Sequence, residues 1–199
     1  MATSATPYGA RPIGTLSASG SWTGKVRHIP IASGYTTAIF NGDFVKLVAG
    51  GGVEKDTGTA TLTTCGIFVG CAYTPSTTNQ KTFNTQWPAS TVASDAVAYV
   101  VDDPFVVFQM QGDNTIAAST RGSNFDVIQT AGSTSIGKSK NAVDADSTAT
   151  TDTLPLRLLD FVDGPDSSAG DSYTDCIWKF NAAKDTDESS HQYLAATGI

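Results

Sequence analysis

Short apolar runs separated by turns rich in glycine, proline and asparagine dominate this chain from residue 26 onward. No segment repeats apolar residues at the helical period of about 3.6 over three turns. Only 16% of the residues are charged, against roughly 25% in ordinary globular domains. Threonine, which favours strands, and glycine, serine and asparagine, which favour turns, supply the polarity instead. We therefore predict an all-β fold, a small antiparallel barrel or sandwich with long loops and little helix.

Several strands and loops can be assigned from local signals. An Asn-Gly turn between two apolar runs predicts a hairpin of Thr37–Phe40 against Phe44–Val48. Residues 59–73 are expected to form a long strand, and 125–129 a short one. Two polar stretches, 74–90 and 137–153, are expected to be loops, and the aromatic residues of the first favour docking over disorder. The alternation in LPLRLLDFV directs Leu154, Leu156 and Leu158 inward, and CIWKFN supplies a last strand.

The chain is expected to have three parts. Residues 1–20, rich in small residues and proline, form an extended N-terminal arm that has no core of its own. Residues 21–182 form the β domain, with two small β subdomains dividing near residue 112 as the alternative. Residues 183–199 form a C-terminal tail, either extended or with one short helical turn.

Composition argues against several classes of partner. The chain carries 12 Lys and Arg against 19 Asp and Glu, a net charge of −7. Nucleic acid and anionic membranes are therefore unexpected partners, because both attract clustered cations. No segment approaches the ~20 apolar residues that span a bilayer, and the N-terminus lacks the apolar region of a secretory signal. We expect Cys65, Cys71 and Cys176 to be small buried hydrophobes that form no disulfide framework.

The residues give no usable active site. The two histidines, His28 and His191, lie in a predicted strand and in the tail, and the Gly-x-Ser-x-Gly elbow of hydrolases is missing. Three acidic residues, Asp144, Asp146 and Asp152, begin like a calcium loop, but the later ligand positions fail, so a solvated acidic loop is favoured. No cofactor, metal site or enzymatic activity is expected.

The segment YVVDDPFVVFQMQGD, residues 99–113, contains the one pair of adjacent carboxylates that invites a chemical interpretation. Successive side chains of a strand point to opposite faces, so Asp102 and Asp103 should not share a proton. Pro104 removes a backbone donor and keeps the preceding residue extended. We therefore predict a strand-to-strand corner, with a subunit contact as its only additional role.

The order of the segments resembles that of the small decoration, or cement, proteins of tailed-bacteriophage capsids. YGARPIG comes first, followed by IFNGDFVKL, GIFVGCAY and AYVVDDPFVVFQMQGD, which is similar to that family's Tyr-Val-x-Asp-Asp-Pro hallmark. AGSTSIGKSK, LPLRLLDFVDGPD and DSYTDCIWKFN complete the series. The resemblance covers about Tyr8 to Asn181, and the longer C-terminal end departs from it.

The resemblance implies a structural protein of the virion with no catalytic residues. Such a protein is assembled in the host cytoplasm, binds the outer surface of the major capsid protein lattice and stabilises it against the pressure of packaged DNA. Self-association is expected, with a trimer favoured over a dimer. Candidate contacts with the capsid or a neighbouring subunit are Tyr8, Arg11, Trp22, Phe83 and Trp87, of residue types that often concentrate interface energy. The two tryptophans are equally good core candidates.

Two other functions are alternatives to a capsid decoration protein. A carbohydrate- or receptor-binding β module of a virion tail, fibre or head surface would need exposed, coplanar aromatic rings, for which Tyr35, Phe83 and Trp87 are the candidates. An enzyme, such as a hydrolase, is the weakest alternative because no usable cluster of histidine, cysteine or carboxylate side chains is evident.

Overall fold

A computed structural model describes residues 4–17, 23–181, 189–195 and 198. These residues form fourteen strands and two 3₁₀ turns, at Ala118–Thr120 and Gln192–Leu194, and no α-helix occurs among them. The strands are β1 (Arg11–Thr15), β2 (Arg27–Pro30), β3 (Ile39–Phe40), β4 (Phe44–Leu47), β5 (Val53–Lys55), β6 (Gly66–Tyr73), β7 (Thr82–Asn84), β8 (Gln86–Trp87), β9 (Val97–Val101), β10 (Val106–Gln111), β11 (Asn124–Ile128), β12 (Ala142–Ala149), β13 (Leu156–Phe161) and β14 (Asp175–Phe180). The predicted all-β class is confirmed.

The strands form two large antiparallel sheets and one small pair. Sheet I has the order β1-β10-β14-β13-β11-β12, and sheet II has the order β2-β9-β6-β4-β5, with β7 also paired to β6. Strands β3 and β8 pair with each other. The sheets do not close into a barrel, so the architecture is sandwich-like. The chain passes from sheet II to sheet I at residues 102–105, between β9 and β10.

Aromatic side chains hold the two sheets together. Phe44, on β4 of sheet II, is fully buried and meets Phe108 and Phe180 of sheet I at ring-centroid distances of 5.9 and 5.8 Å. Such edge-to-face pairs stabilise a core beyond the area they bury. A second core lies on the other side of sheet II, where Trp87 packs edge-on against Tyr73 at 5.3 Å.

The hairpin of Thr37–Phe40 against Phe44–Val48 was predicted wrongly. The Asn-Gly turn does form, since the Asp43 N–H donates to the Phe40 carbonyl at 2.9 Å. However, β3 pairs with β8 and β4 pairs with β5 and β6. The turn signal is local, whereas pairing depends on the buried side chains that each strand must cover.

The prediction of a loop over 137–153 was also wrong, because Ala142–Ala149 form β12, paired antiparallel with β11. The buried residues of this strand, Ala142, Val143 and Ala145, are small and give a weak hydrophobic signal. The predicted inward direction is confirmed for Leu156 and Leu158 on β13, which are buried, whereas Leu154, before the strand, is only half-buried. The long stretch 74–90 contains β7 and β8.

The described parts of the predicted N-terminal arm and C-terminal tail lie against these sheets. In the N-terminal arm, β1 is the edge strand of sheet I, antiparallel to β10. Near the C-terminus, Ser189, Ser190 and His191 are buried. The predicted domain boundaries stay a prediction.

Candidate interaction surfaces

The Asp-Asp-Pro segment is the corner that the sequence predicts. The Asp103 carbonyl accepts from the Val106 N–H at 3.0 Å, and its Oδ1 accepts from the Phe105 N–H at 2.9 Å. Its Oδ2 accepts from the Thr15 hydroxyl at 2.7 Å. Asp102, which is almost buried, instead accepts from the Arg27 guanidinium. The two carboxylates have separate partners and do not form an acid–base pair with each other.

Exposed apolar side chains surround this corner. Leu16 is 54% exposed and Phe105 is 47% exposed, and the Leu16 N–H donates to the Phe105 carbonyl at 2.9 Å. Ile13 lies nearby on β1, and the ring of Tyr193 lies 5.9 Å from the guanidinium of Arg27. We call Ile13, Leu16, Phe105, Tyr193 and Arg27 the corner face. Clustered apolar groups at a polar rim are typical of interaction sites.

Two of the segments behind the family resemblance, IFNGDFVKL and AGSTSIGKSK, meet at one buried carboxylate, that of Asp43. Its Oδ1 accepts from the Ser139 hydroxyl at 2.6 Å and the Asn141 amide at 3.3 Å. Its Oδ2 accepts from the Phe40 N–H at 2.9 Å and lies 3.0 Å from the Lys55 ammonium. A carboxylate has about four acceptor positions, so Asp43 has none left for a ligand.

The N-terminal segment joins the same junction through its backbone. The Gly9 N–H donates to the Asn141 carbonyl at 3.2 Å, and the Ala10 N–H donates to the Gly42 carbonyl at 2.9 Å. Gly9 has a φ of +76°, and a Cβ added there would lie 2.6 Å from the Gly42 oxygen. Only glycine fits this approach without displacement. The junction is therefore structural.

The structure describes four of the five candidate contact residues and places them in different surroundings. Tyr8 is half-buried and donates its hydroxyl to Asp175 Oδ1 at 2.9 Å, and burial raises the pKa of its phenol. Arg11 is exposed on β1 and Phe83 is 72% exposed on β7. Trp87 is fully buried, with its Nε1 donating to a backbone carbonyl at 3.3 Å. Trp22 lies outside the described residues.

Sequence analysis did not single out most of the corner face. Ile13 and Leu16 lie in the predicted N-terminal arm, and Tyr193 lies far away in the predicted C-terminal tail. Phe105 directly follows the corner proline, and an aromatic residue at a predicted turn is the one local signal that could have found it. Two other apolar residues are exposed outside the corner face. Phe83 lies on β7, and Ile136 lies in the loop that precedes β12.

Groups able to do chemistry are dispersed or blocked. His28 is exposed on β2 beside the Tyr99 ring. The three cysteines are free and buried, and burial raises the pKa of the Cys65 and Cys71 thiols to about 12. In the part of the chain that is described, no three His, Cys, Asp or Glu side chains are grouped to hold a metal ion. The same residues include no helix long and apolar enough to cross a membrane.

Comparisons of the chain with protein-family models, curated proteins and solved structures found no match.

Proposed function

We propose that this protein is a decoration, or cement, protein of a tailed-bacteriophage capsid. It binds the outer surface of the assembled major capsid protein lattice and stabilises the shell against the pressure of packaged DNA. It acts there as a homo-oligomer, a trimer in preference to a dimer. Its place is the outside of the virion, after assembly in the host cytoplasm.

The observation that carries the proposal is the way the quoted segments converge. The segments YGARPIG, IFNGDFVKL and AGSTSIGKSK meet at the Asp43 junction, the last of them together with Asn141, which directly follows it. Their polar groups are engaged with one another. This agrees with the purely structural roles that the resemblance gives to these motifs. The acidic net charge of −7 suits an outer surface that repels DNA.

The corner face is the part of the described surface best suited to contact the shell. Its apolar members are exposed, and the strands behind it are fixed by the hydrogen bonds of Asp102 and Asp103. A rigid support lowers the entropy lost on binding. Repetition of one modest contact over a closed lattice would raise the overall avidity.

The test uses shells that lack this chain, prepared from a phage whose gene for it has been deleted. Purified protein is added to expanded, mature shells, and binding is measured by co-sedimentation and by cryo-electron microscopy. We expect saturable binding to the outside of the shell and a higher temperature of DNA release. Absence of binding, or binding with no change in heat resistance, would refute the proposed function.

Matched variants test the corner face separately. Leu16→Ser and Phe105→Ser are expected to weaken binding at least tenfold, about 1.4 kcal/mol. Val92→Ser is the control, because Val92 is 56% exposed but lies beyond the opposite end of β9, roughly 16 Å of strand away. Unchanged binding by all three variants would exclude the corner face as the contact while leaving the proposed function intact.

The alternative of a carbohydrate-binding module gains no support from the aromatic residues named for it. Trp87 is buried, and Tyr35 is half-buried with its hydroxyl accepting from the Lys55 N–H at 3.0 Å. Phe83 is the one exposed ring of the three. These three residues therefore do not form a flat platform of coplanar rings on which a sugar could stack.

A further inference from the structure

A short C-terminal segment, residues 189–195, fastens the two sheets to each other. We call this segment the clasp. The Ser190 N–H and hydroxyl both donate to the carbonyl of Asn181, directly after β14 of sheet I, at 3.3 and 2.7 Å. The Ser190 carbonyl accepts from the N–H of Thr64, just before β6 of sheet II, at 3.0 Å. The clasp is thus bound on both sides by backbone hydrogen bonds.

Gln192 strengthens the attachment to sheet II. Its N–H donates to the Thr64 carbonyl at 2.8 Å. Its side-chain oxygen accepts from the Leu47 N–H at 2.7 Å, and its amide donates to the Leu47 carbonyl at 3.1 Å. The Gln192 side chain thereby pairs with both backbone groups of Leu47, the last residue of β4.

His191 lies at the centre of the clasp and is fully buried. Its Nδ1 accepts from the Tyr193 N–H at 3.3 Å. Its ring packs against the rings of Phe180 and Tyr193, each at 5.4 Å. Its Nε2 is buried and has no hydrogen-bond partner among the described residues. Because Nδ1 accepts, the docked imidazole is neutral and carries its proton on Nε2.

We propose that His191 makes the clasp an acid-released latch, docked when the imidazole is neutral and freed when it is protonated. A proton on Nδ1 would face the Tyr193 N–H, so that two donors would oppose each other. The second N–H, on Nε2, still has no acceptor. A buried imidazolium would therefore lose its hydrogen bond and remain unpaired, which is costly. This inference does not rest on the proposed function.

The charged and titratable groups around His191 do not remove this penalty. Asp102 and Asp103, at the corner, favour the imidazolium, but Asp102 is already paired with Arg27. The Cys65 backbone, before β6, also favours the imidazolium, and the Tyr193 phenol lies within the clasp. Burial outweighs the two carboxylates and the Cys65 backbone together and lowers the pKa of His191 to about 4, from about 6.5 for a free histidine.

The sign and size of the pH dependence follow from these two values. The free segment binds more protons than the docked one between pH 6.5 and 4, so docking is complete above about pH 6.5 and weakens as the pH falls toward 4. Between pH 7.5 and pH 5 the histidine of the free segment takes up a proton, whereas that of the docked segment stays mostly neutral. The equilibrium constant for docking therefore falls about 30-fold over this range.

Hydrogen–deuterium exchange of the full-length protein measures this directly. The reporters are the backbone N–H groups of Thr64, Ser190 and Gln192, with β10 and β14 as internal references. Rates at pH 7.5 and pH 5 are divided by the intrinsic rates of unstructured peptides. His191→Gln removes the titrating group, and His28→Gln is the matched control at the exposed histidine of β2.

We expect the protection of the clasp reporters to fall about 30-fold at pH 5 in the wild type and in His28→Gln, while β10 and β14 keep theirs. In His191→Gln the ratio between the two pH values should be close to one. An unchanged wild-type clasp, an equal fall in β10 and β14, or an equal fall in His191→Gln would overturn the latch. If His191→Gln does not dock at either pH, NMR titration of the His191 ring in the wild type decides. A pKa below 5 supports the latch, and one near 6.5 refutes it.

Discussion

The buried carboxylate of Asp43 offers the sharpest test of the proposed architecture. Asp43→Asn keeps the size and shape of the side chain but removes its charge. Asp43 is fully buried, and the side chain of its partner Lys55 is only 9% exposed. The substitution therefore leaves the Lys55 ammonium without its ion partner and turns an amide NH₂ toward one of the existing donors.

The expected loss of stability is about 4 kcal/mol. Breaking a buried ion pair from one side typically costs roughly 3–5 kcal/mol. The oxygen that remains in the asparagine can still accept from Ser139 and Asn141, which keeps the loss from the upper end of that range. Since folded domains are stable by only about 5–15 kcal/mol, the variant should be close to its limit at physiological temperature.

Urea denaturation followed by tryptophan fluorescence measures the effect. With a slope of about 2–3 kcal/mol/M, a loss of about 4 kcal/mol moves the midpoint down by roughly 1.5 M. Asp43→Asn combined with Lys55→Met should be more stable than Asp43→Asn alone, because no unpaired charge remains. Lys81→Met breaks the exposed pair with Asp95 and should leave the midpoint nearly unchanged.

Two results would refute this reasoning about Asp43. One is a midpoint for Asp43→Asn within experimental error of the Lys81→Met control. The other is a double variant whose loss of stability equals or exceeds the sum of the losses measured for Asp43→Asn and Lys55→Met alone. The two charges would then not depend on each other for stability.

Two further predictions concern packing. Gly9 and Gly34 share a φ of +76°, but a Cβ at Gly9 meets atoms at 2.6 Å while nothing lies within 4 Å of one at Gly34. Gly34→Ala should therefore lower stability by about 1–2 kcal/mol and Gly9→Ala by at least 1 kcal/mol more, and equal urea midpoints would contradict this. Burial raises the pKa of the Cys65 and Cys71 thiols to about 12. A disulfide reagent at pH 8 should therefore label neither thiol in the folded protein and both thiols in urea. Rapid labelling without urea would contradict this prediction.

Local signals predicted much of the fold but not how its parts pair. The strands β6, β13 and β14 carry continuous or alternating large apolar residues, which a sequence reveals. The corner was predictable because alternation and one proline act on adjacent residues. Strand β12 was missed because its buried residues are only alanine and valine. The partner of β3 lies more than forty residues away, at β8, and no local pattern encodes that pairing.

The candidate surfaces show the same limit. Phe83 is exposed on β7, whereas Trp87, on β8 of the same polar stretch, is buried, and the composition of the stretch gives no sign of the difference. The corner face joins Leu16, Phe105 and Tyr193 from three distant parts of the chain. The role of His191 in the clasp depends on Thr64 and Asn181, neither of which is recognisable beside it in the sequence.

The corner at residues 102–105 also determines how the molecule would carry a mechanical load. Strands β9 and β10 leave this corner into different sheets, and each lies between two hydrogen-bonded neighbours. A pull applied at the corner and directed along these strands loads their hydrogen bonds in parallel rather than one after another. The tension divides between the two sheets at that point, so that neither sheet has to yield alone.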